Sequence, residues 1–146
     1  MPQTDPELTQ ETRDRISNSF AAQGLMTTLG ARLVDVAPGR VSIEAPIRPE
    51  TGQQQGFAHA GFSFSIGDSA AGYAALSLMS SDREVMTAEM RIHLLAPASG
   101  ERLVAEGKVI RAGRRIMVVQ SDVYAETGAD RRHVALLTGS MVTVSL

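Results

Sequence analysis

Along this chain the spacing of apolar positions changes period twice, and those changes mark out the elements. Asp14 to Met26 repeats at helical spacing, with Ile16, Phe20 and Gln23 toward one side. That predicts a short amphipathic helix after a loose start over residues 1–10. Ala31 to Val36 and Arg40 to Ile47 read as two strands joined by a Pro38-Gly39 turn. Arg48 to Gly56 is a polar, Gln-rich loop with Pro49 and Gly52 as breakers. From about residue 59 to residue 80 the chain is apolar or small almost throughout, which predicts one long, largely buried helix ended by Ser80, Ser81 and Asp82. The period then becomes two. Val85 to Leu95, Arg102 to Arg111, Arg115 to Ala125 and His133 to Val144 are expected as strands. Pro97 to Gly100 turns the chain. Ala112-Gly113 and Thr127-Gly128-Ala129 are hairpin signals, and His133 is placed in a loop after Arg131-Arg132. A single long helix among antiparallel strands must bury its face on a strongly curved sheet, so the class is α+β and not doubly wound.

Inside the long helix one residue stands out. From Thr51 to Ser81 the only formally charged side chain is Asp68. An ionised group in apolar surroundings costs several kcal/mol unless it is paired or hydrogen-bonded. Such carboxylates are also where pKa values move and catalysis is found. The plain alternative is an Asp facing water on one edge of an amphipathic helix. The run from Ala60 to Met79 has transmembrane length. Asp68, four serines, three glycines and the absence of a basic flank argue for a buried helix in a soluble protein instead.

Composition narrows the classes. The chain has 146 residues, 43% hydrophobic and 21% charged, which suits one ordinary globular domain. Its net charge of −2 argues against a nucleic-acid binder. Cys is absent, which removes disulfides and thiolate chemistry and is compatible with a reducing compartment. The N-terminus is polar and acidic, without a signal-peptide pattern, and the expected location is cytoplasmic.

No G-x-S-x-G, P-loop or G-x-G-x-x-G string is present. His59, His93 and His133 lack metal-ligand spacing, so no metal is expected. His93 and His133 read as structural or solvated. His59 differs, because it sits where the polar loop enters the buried helix. The first N–H groups of a helix have no internal partner and carry the positive end of its dipole. They suit a developing oxyanion, and the small Ala60 and Gly61 would let a carbonyl approach. His59 and Asp68 are nine residues apart, so on one helix they point to opposite sides about 13 Å apart along its axis. A site that uses both needs two copies of the chain.

The strings Gln53-Gln54-Gln55-Gly56-Phe57-Ala58-His59-Ala60-Gly61 and Gly67-Asp68-Ser69-Ala70-Ala71-Gly72-Tyr73 resemble the signature of hotdog-fold acyl-CoA thioesterases, the phenylacetate-degradation (PaaI-like) group above all. The order of elements and the segment Met90 to Ala98 share the resemblance. It implies residues 1–27 as an N-terminal segment with a short helix, and 28–146 as a single hotdog domain. It also implies a homodimer, extended to a homotetramer, that hydrolyses an acyl-CoA to free acid and CoA with no cofactor. By position, Asp68 resembles the catalytic base or nucleophile and His59 the motif histidine. The Ala60 N–H resembles the donor to the thioester carbonyl, Thr87 the hydroxyl that holds the attacking water, and Gln53 the loop amide. Gly61 and Phe62 fall among the substrate-binding positions, and a helix lined by Phe62, Phe64 and Tyr73 suits an aryl or medium acyl group, although Phe is equally an ordinary core residue. Two departures stand out: His-Ala-Gly replaces His-Gly-Gly, and Gln53 replaces the usual Asn, with Gln54 or Gln55 able to substitute. A CoA nucleotide needs a positive patch, and Arg111, Arg114 and Arg115 with Lys108 form the densest one; the plain alternative is solvated edge charges that discourage sheet-to-sheet aggregation. Strand alternation puts Arg111 on the opposite face from Lys108. The rival readings are a hotdog hydratase or dehydratase and a non-catalytic acyl-CoA-binding domain.

Overall fold

The structure is a computed structural model and describes residues 7–145. Its elements run α1 (Gln10–Ala22), α2 (Gly24–Leu29), β1 (Arg32–Ala37), β2 (Arg40–Pro46), a 3-10 turn (Pro49–Thr51), α3 (Ala60–Leu76), β3 (Arg83–Leu94), β4 (Arg102–Ala112), β5 (Ile116–Thr127) and β6 (Asp130–Ser145). The six strands form one antiparallel sheet in the order β1-β2-β4-β5-β6-β3. The sheet curves around α3, which contacts β2 through β6. This is the expected α+β hotdog architecture. No helix among the described residues is long and apolar enough to cross a membrane.

The N-terminal helix begins earlier than its apolar spacing suggested. The Thr9 hydroxyl accepts the Thr12 N–H at 3.2 Å, which caps α1 at Gln10 rather than Asp14. The expected single helix also breaks at Gln23, whose extended backbone separates α1 from α2. The division at residues 27 and 28 does not mark a boundary in packing. Ile16 and Met26 are fully buried in the same core as Ile43, Leu103 and Leu137.

Helix α3 is short of the expected length because its end is tied down. The Ser77 hydroxyl donates to the Ala74 carbonyl at 2.6 Å and accepts the Gly39 N–H at 2.8 Å. Leu78 and Met79 then close 3-10-type bonds to Ala75 and Leu76. Within α3, Ile66 and Leu76 are fully buried. Each contributes about 1.5–3 kcal/mol relative to exposure.

Two further expectations are corrected. His133 lies within β6, as the strand expected from His133 to Val144 has it and not in the loop after Arg131-Arg132, with Nε2 3.0 Å from Asp122 Oδ1. The β4–β5 ladder carries a bulge between Val109 and Arg111, and Lys108 pairs with Gln120 while Arg111 pairs with Val118. The extra residue restores Arg111 to the face of Lys108, where simple alternation had opposed them.

Candidate active site

Asp68 projects from the middle of α3 toward β3. The Thr87 hydroxyl donates to its Oδ1 at 2.8 Å. Thr87 turns toward α3 while staying exposed at the sheet edge, since it pairs with the buried Met141 on β6, just before a bulge between Thr87 and Glu89. Burial holds the Asp68 carboxyl above the usual carboxylate range, and the Thr87 hydrogen bond pulls it partly back. The two residues line a cavity of about 220 Å³ with Gln23, Ser69, Tyr73 and Met141.

His59 is the N-cap of α3. Its Nδ1 accepts the Gly61 N–H at 2.8 Å. In the neutral ring the proton therefore sits on Nε2, which is left as a donor. The Ala60 N–H makes no hydrogen bond among the described residues, as expected for the first turn of a helix. Gln53 holds the preceding loop. Its Oε1 accepts from the backbone N–H of Gln55 and of Phe57, and its Nε2 donates to Gln55 Oε1 at 3.1 Å. Gln53, His59 and Ala60 line a second cavity of about 610 Å³, walled across from them by Leu94, Leu95 and Pro97.

The structure thus brings Asp68 to Thr87 in one cavity, and His59 to Ala60 and Gln53 in another, with Gly61 bonded to His59 but outside the cavity lining. Neither cavity contains both Asp68 and His59. Phe62 departs from its expected role in substrate binding. It is 4% exposed in the core and lines neither cavity, because its position on α3 turns it toward the sheet. Arg114 lines a third cavity of about 590 Å³ together with Arg83 and Arg115, whereas Arg111 does not. Arg83 escaped sequence reasoning because it lies 28 positions or more from the other three and only the sheet brings it to the hairpin. Ser19 and Gln23 were also missed as cavity residues. They sit in a segment whose only visible signal is helical spacing.

A half-buried carboxylate with a hydroxyl partner at mid-helix, a helix N-terminus with a free N–H in a second cavity and a curved sheet around both define a hotdog-fold acyl-transfer hydrolase. A sequence profile of the thioesterase superfamily matches residues 55–131, so the chain belongs to the thioesterase superfamily and its reaction is thioester hydrolysis. It is similar to a thioesterase family protein from Silicibacter pomeroyi of known structure, at 37% identity and TM-score 0.90, over 92% of this chain and 99% of that one. A Saccharolobus solfataricus protein named as a candidate esterase is 30% identical over 68% of this chain and 70% of its own. The E. coli PaaI protein of the phenylacetic acid degradation operon shares the fold, with TM-score 0.84 at 19% identity over 94% of this chain and 96% of that one.

Proposed function

We propose that this thioesterase hydrolyses acyl-CoA thioesters at a site composed from two protomers. The observation that carries the reading is the Thr87–Asp68 hydrogen bond at 2.8 Å in a cavity separate from that of His59. One protomer supplies Asp68 and Thr87. Its partner supplies His59, Ala60, Gly61 and the Gln53 loop. Strand β3 supports this arrangement. It is an edge of the sheet, and Met86 and Leu94 on it are 59% and 60% exposed. Such a long edge needs covering, and pairing with a second copy would bring the two half-sites together.

In the proposed reaction the thioester carbonyl lies against the Ala60 N–H and the positive end of α3. Thr87 occupies Asp68 Oδ1, which leaves Oδ2 free to take a proton from water. The reading assigns Asp68 the general-base role. The hydroxide adds to the carbonyl carbon, and the oxyanion is held by the helix N-terminus. Collapse breaks the carbon–sulfur bond, and the CoA sulfur leaves with the proton that Asp68 had taken. His59 Nε2–H is a second donor beside the same carbonyl. The shared cavity of Arg83, Arg114 and Arg115 supports a role for them in holding the CoA phosphates, since guanidinium donates bidentate hydrogen bonds to phosphate. A cytoplasmic location goes with this substrate.

The test is a panel of acyl-CoA esters with the freed thiol measured. Turnover is expected for at least one ester and a loss of about 10²-fold or more for Asp68→Asn. No thiol release from any ester, or full turnover by a folded Asp68→Asn protein, overturns the reading.

A further inference from the structure

The Asp68 cavity has a wall that the superfamily profile does not contain. Ser19 and Gln23 line it from α1 and from the break between α1 and α2, outside the matched residues 55–131. Gln23 Nε2 donates to the Tyr73 hydroxyl at 2.7 Å, and Gln23 Oε1 accepts from the Ser69 hydroxyl at 3.2 Å. The Ser19 and Tyr73 hydroxyls lie 3.1 Å apart and share a hydrogen bond. Ser69 and Tyr73 both follow Asp68 on α3 and line its cavity. One amide therefore ties the N-terminal helices to the helix that bears the carboxylate.

Resting on the acyl-CoA reading, we propose that Gln23 determines specificity by closing the acyl cavity beside Asp68, so that the enzyme favours short acyl groups over long ones. Both ends of the Gln23 amide are already bonded within the protein, so the wall does not seek a polar partner on the substrate. An alkyl chain pressed against it would bury little apolar surface and would have to break paired hydrogen bonds to pass, each of which is costly to leave unmade. The wall is also rigid. Ile16 anchors α1 at zero exposure, and Phe20 meets Tyr73 edge-on with ring centroids 6.1 Å apart. Within one protomer the cleft beside Asp68 is about 220 Å³ and opens to solvent on the side away from this wall; that is roughly seven water-sized groups at about 30 Å³ each, room for a short acyl group against Gln23.

The experiment compares kcat/KM for butanoyl-CoA and decanoyl-CoA. Wild type is expected to favour butanoyl-CoA. Gln23→Ala removes the wall and should raise the decanoyl-to-butanoyl ratio at least about tenfold, the scale on which pocket walls discriminate chain length. Tyr73→Phe keeps the ring but releases Gln23 from its acceptor, and should move the ratio in the same direction by less. A residue that only steadied α1 would lower both kcat/KM values together and leave the ratio unchanged. An unchanged ratio in Gln23→Ala overturns the proposal, as does a wild type that prefers decanoyl-CoA. If Gln23→Ala does not fold, an unchanged ratio in Tyr73→Phe overturns it instead. A wild type inactive on both esters but active on another acyl-CoA of the panel sinks the wall alone, as does an active wild type with unmoved ratios, whereas inactivity on every ester sinks the acyl-CoA reading and the wall with it.

Discussion

At Asp68 the physical conflict is between burial and charge. Desolvation raises its pKa, and the Thr87 hydroxyl lowers it by a smaller amount. Because the folded carboxyl binds its proton more tightly than the unfolded one, ionising it opposes folding. Stability falls as pH rises from the unfolded pKa through the raised folded value, and the cost persists at neutral pH. Asp68→Asn should therefore leave the Tm at pH 7 unchanged or higher while abolishing turnover; calorimetry beside the thiol assay checks both halves. A lowered Tm would show that the carboxylate stabilises the fold. Thr87→Ala removes the only hydrogen bond to the carboxylate among the described residues. It should lower kcat and shift the acid limb of the pH–rate profile to higher pH, with Thr87→Ser restoring both. A profile that stays in place would separate Thr87 from the titrating group.

The helix is set against the sheet by backbone contact as well as by side chains. A Cβ on Gly107 of β4 would lie 2.3 Å from the Ala70 carbonyl carbon of α3, so strand and helix touch where only glycine fits. The Ser121 hydroxyl of β5 donates to the Gly67 carbonyl at 2.6 Å, one residue before Asp68. Gly107→Ala should push α3 off the sheet at an overpacking cost of about 2 kcal/mol or more. For a chain of this size that lowers Tm by at least about 4 °C. The same displacement moves Asp68 relative to Thr87, so kcat should fall with stability. Thermal unfolding of Gly107→Ala at the wild-type temperature would disprove the close approach.

At the scale of the whole molecule, the two half-sites occupy different cavities and β3 leaves a long exposed edge. The reading above needs a dimer as the smallest active unit. His59→Ala and Asp68→Asn proteins, each inactive alone, should recover activity when their subunits exchange. Each mixed dimer would hold one site with both residues intact, so statistical mixing should restore about a quarter of the sites. A fully active monomer by sedimentation, or mixtures that stay dead despite proven exchange, would refute the shared site.

Most of the chain order was legible because each element is written locally. Strands β1 to β6 follow period-two alternation between Gly- and Pro-marked turns, and α3 follows an apolar run that only a buried helix can use. Asp68 was visible as the one charge in that run, and its nine-residue spacing from His59 already placed the two on opposite sides of one helix. What local pattern does not encode was left to tertiary contact. The bulge that turns Arg111 to the Lys108 face depends on the pairing of β4 with β5. Phe62 went to the core because the helix faces the sheet there. Arg83 reaches Arg114 only across the sheet. Gln23 became part of the Asp68 cavity because a break in the N-terminal helix let its amide reach Tyr73, 50 residues away in sequence. Spacing along the chain dictates which way a side chain points from its own element; only the packing of elements decides what it meets.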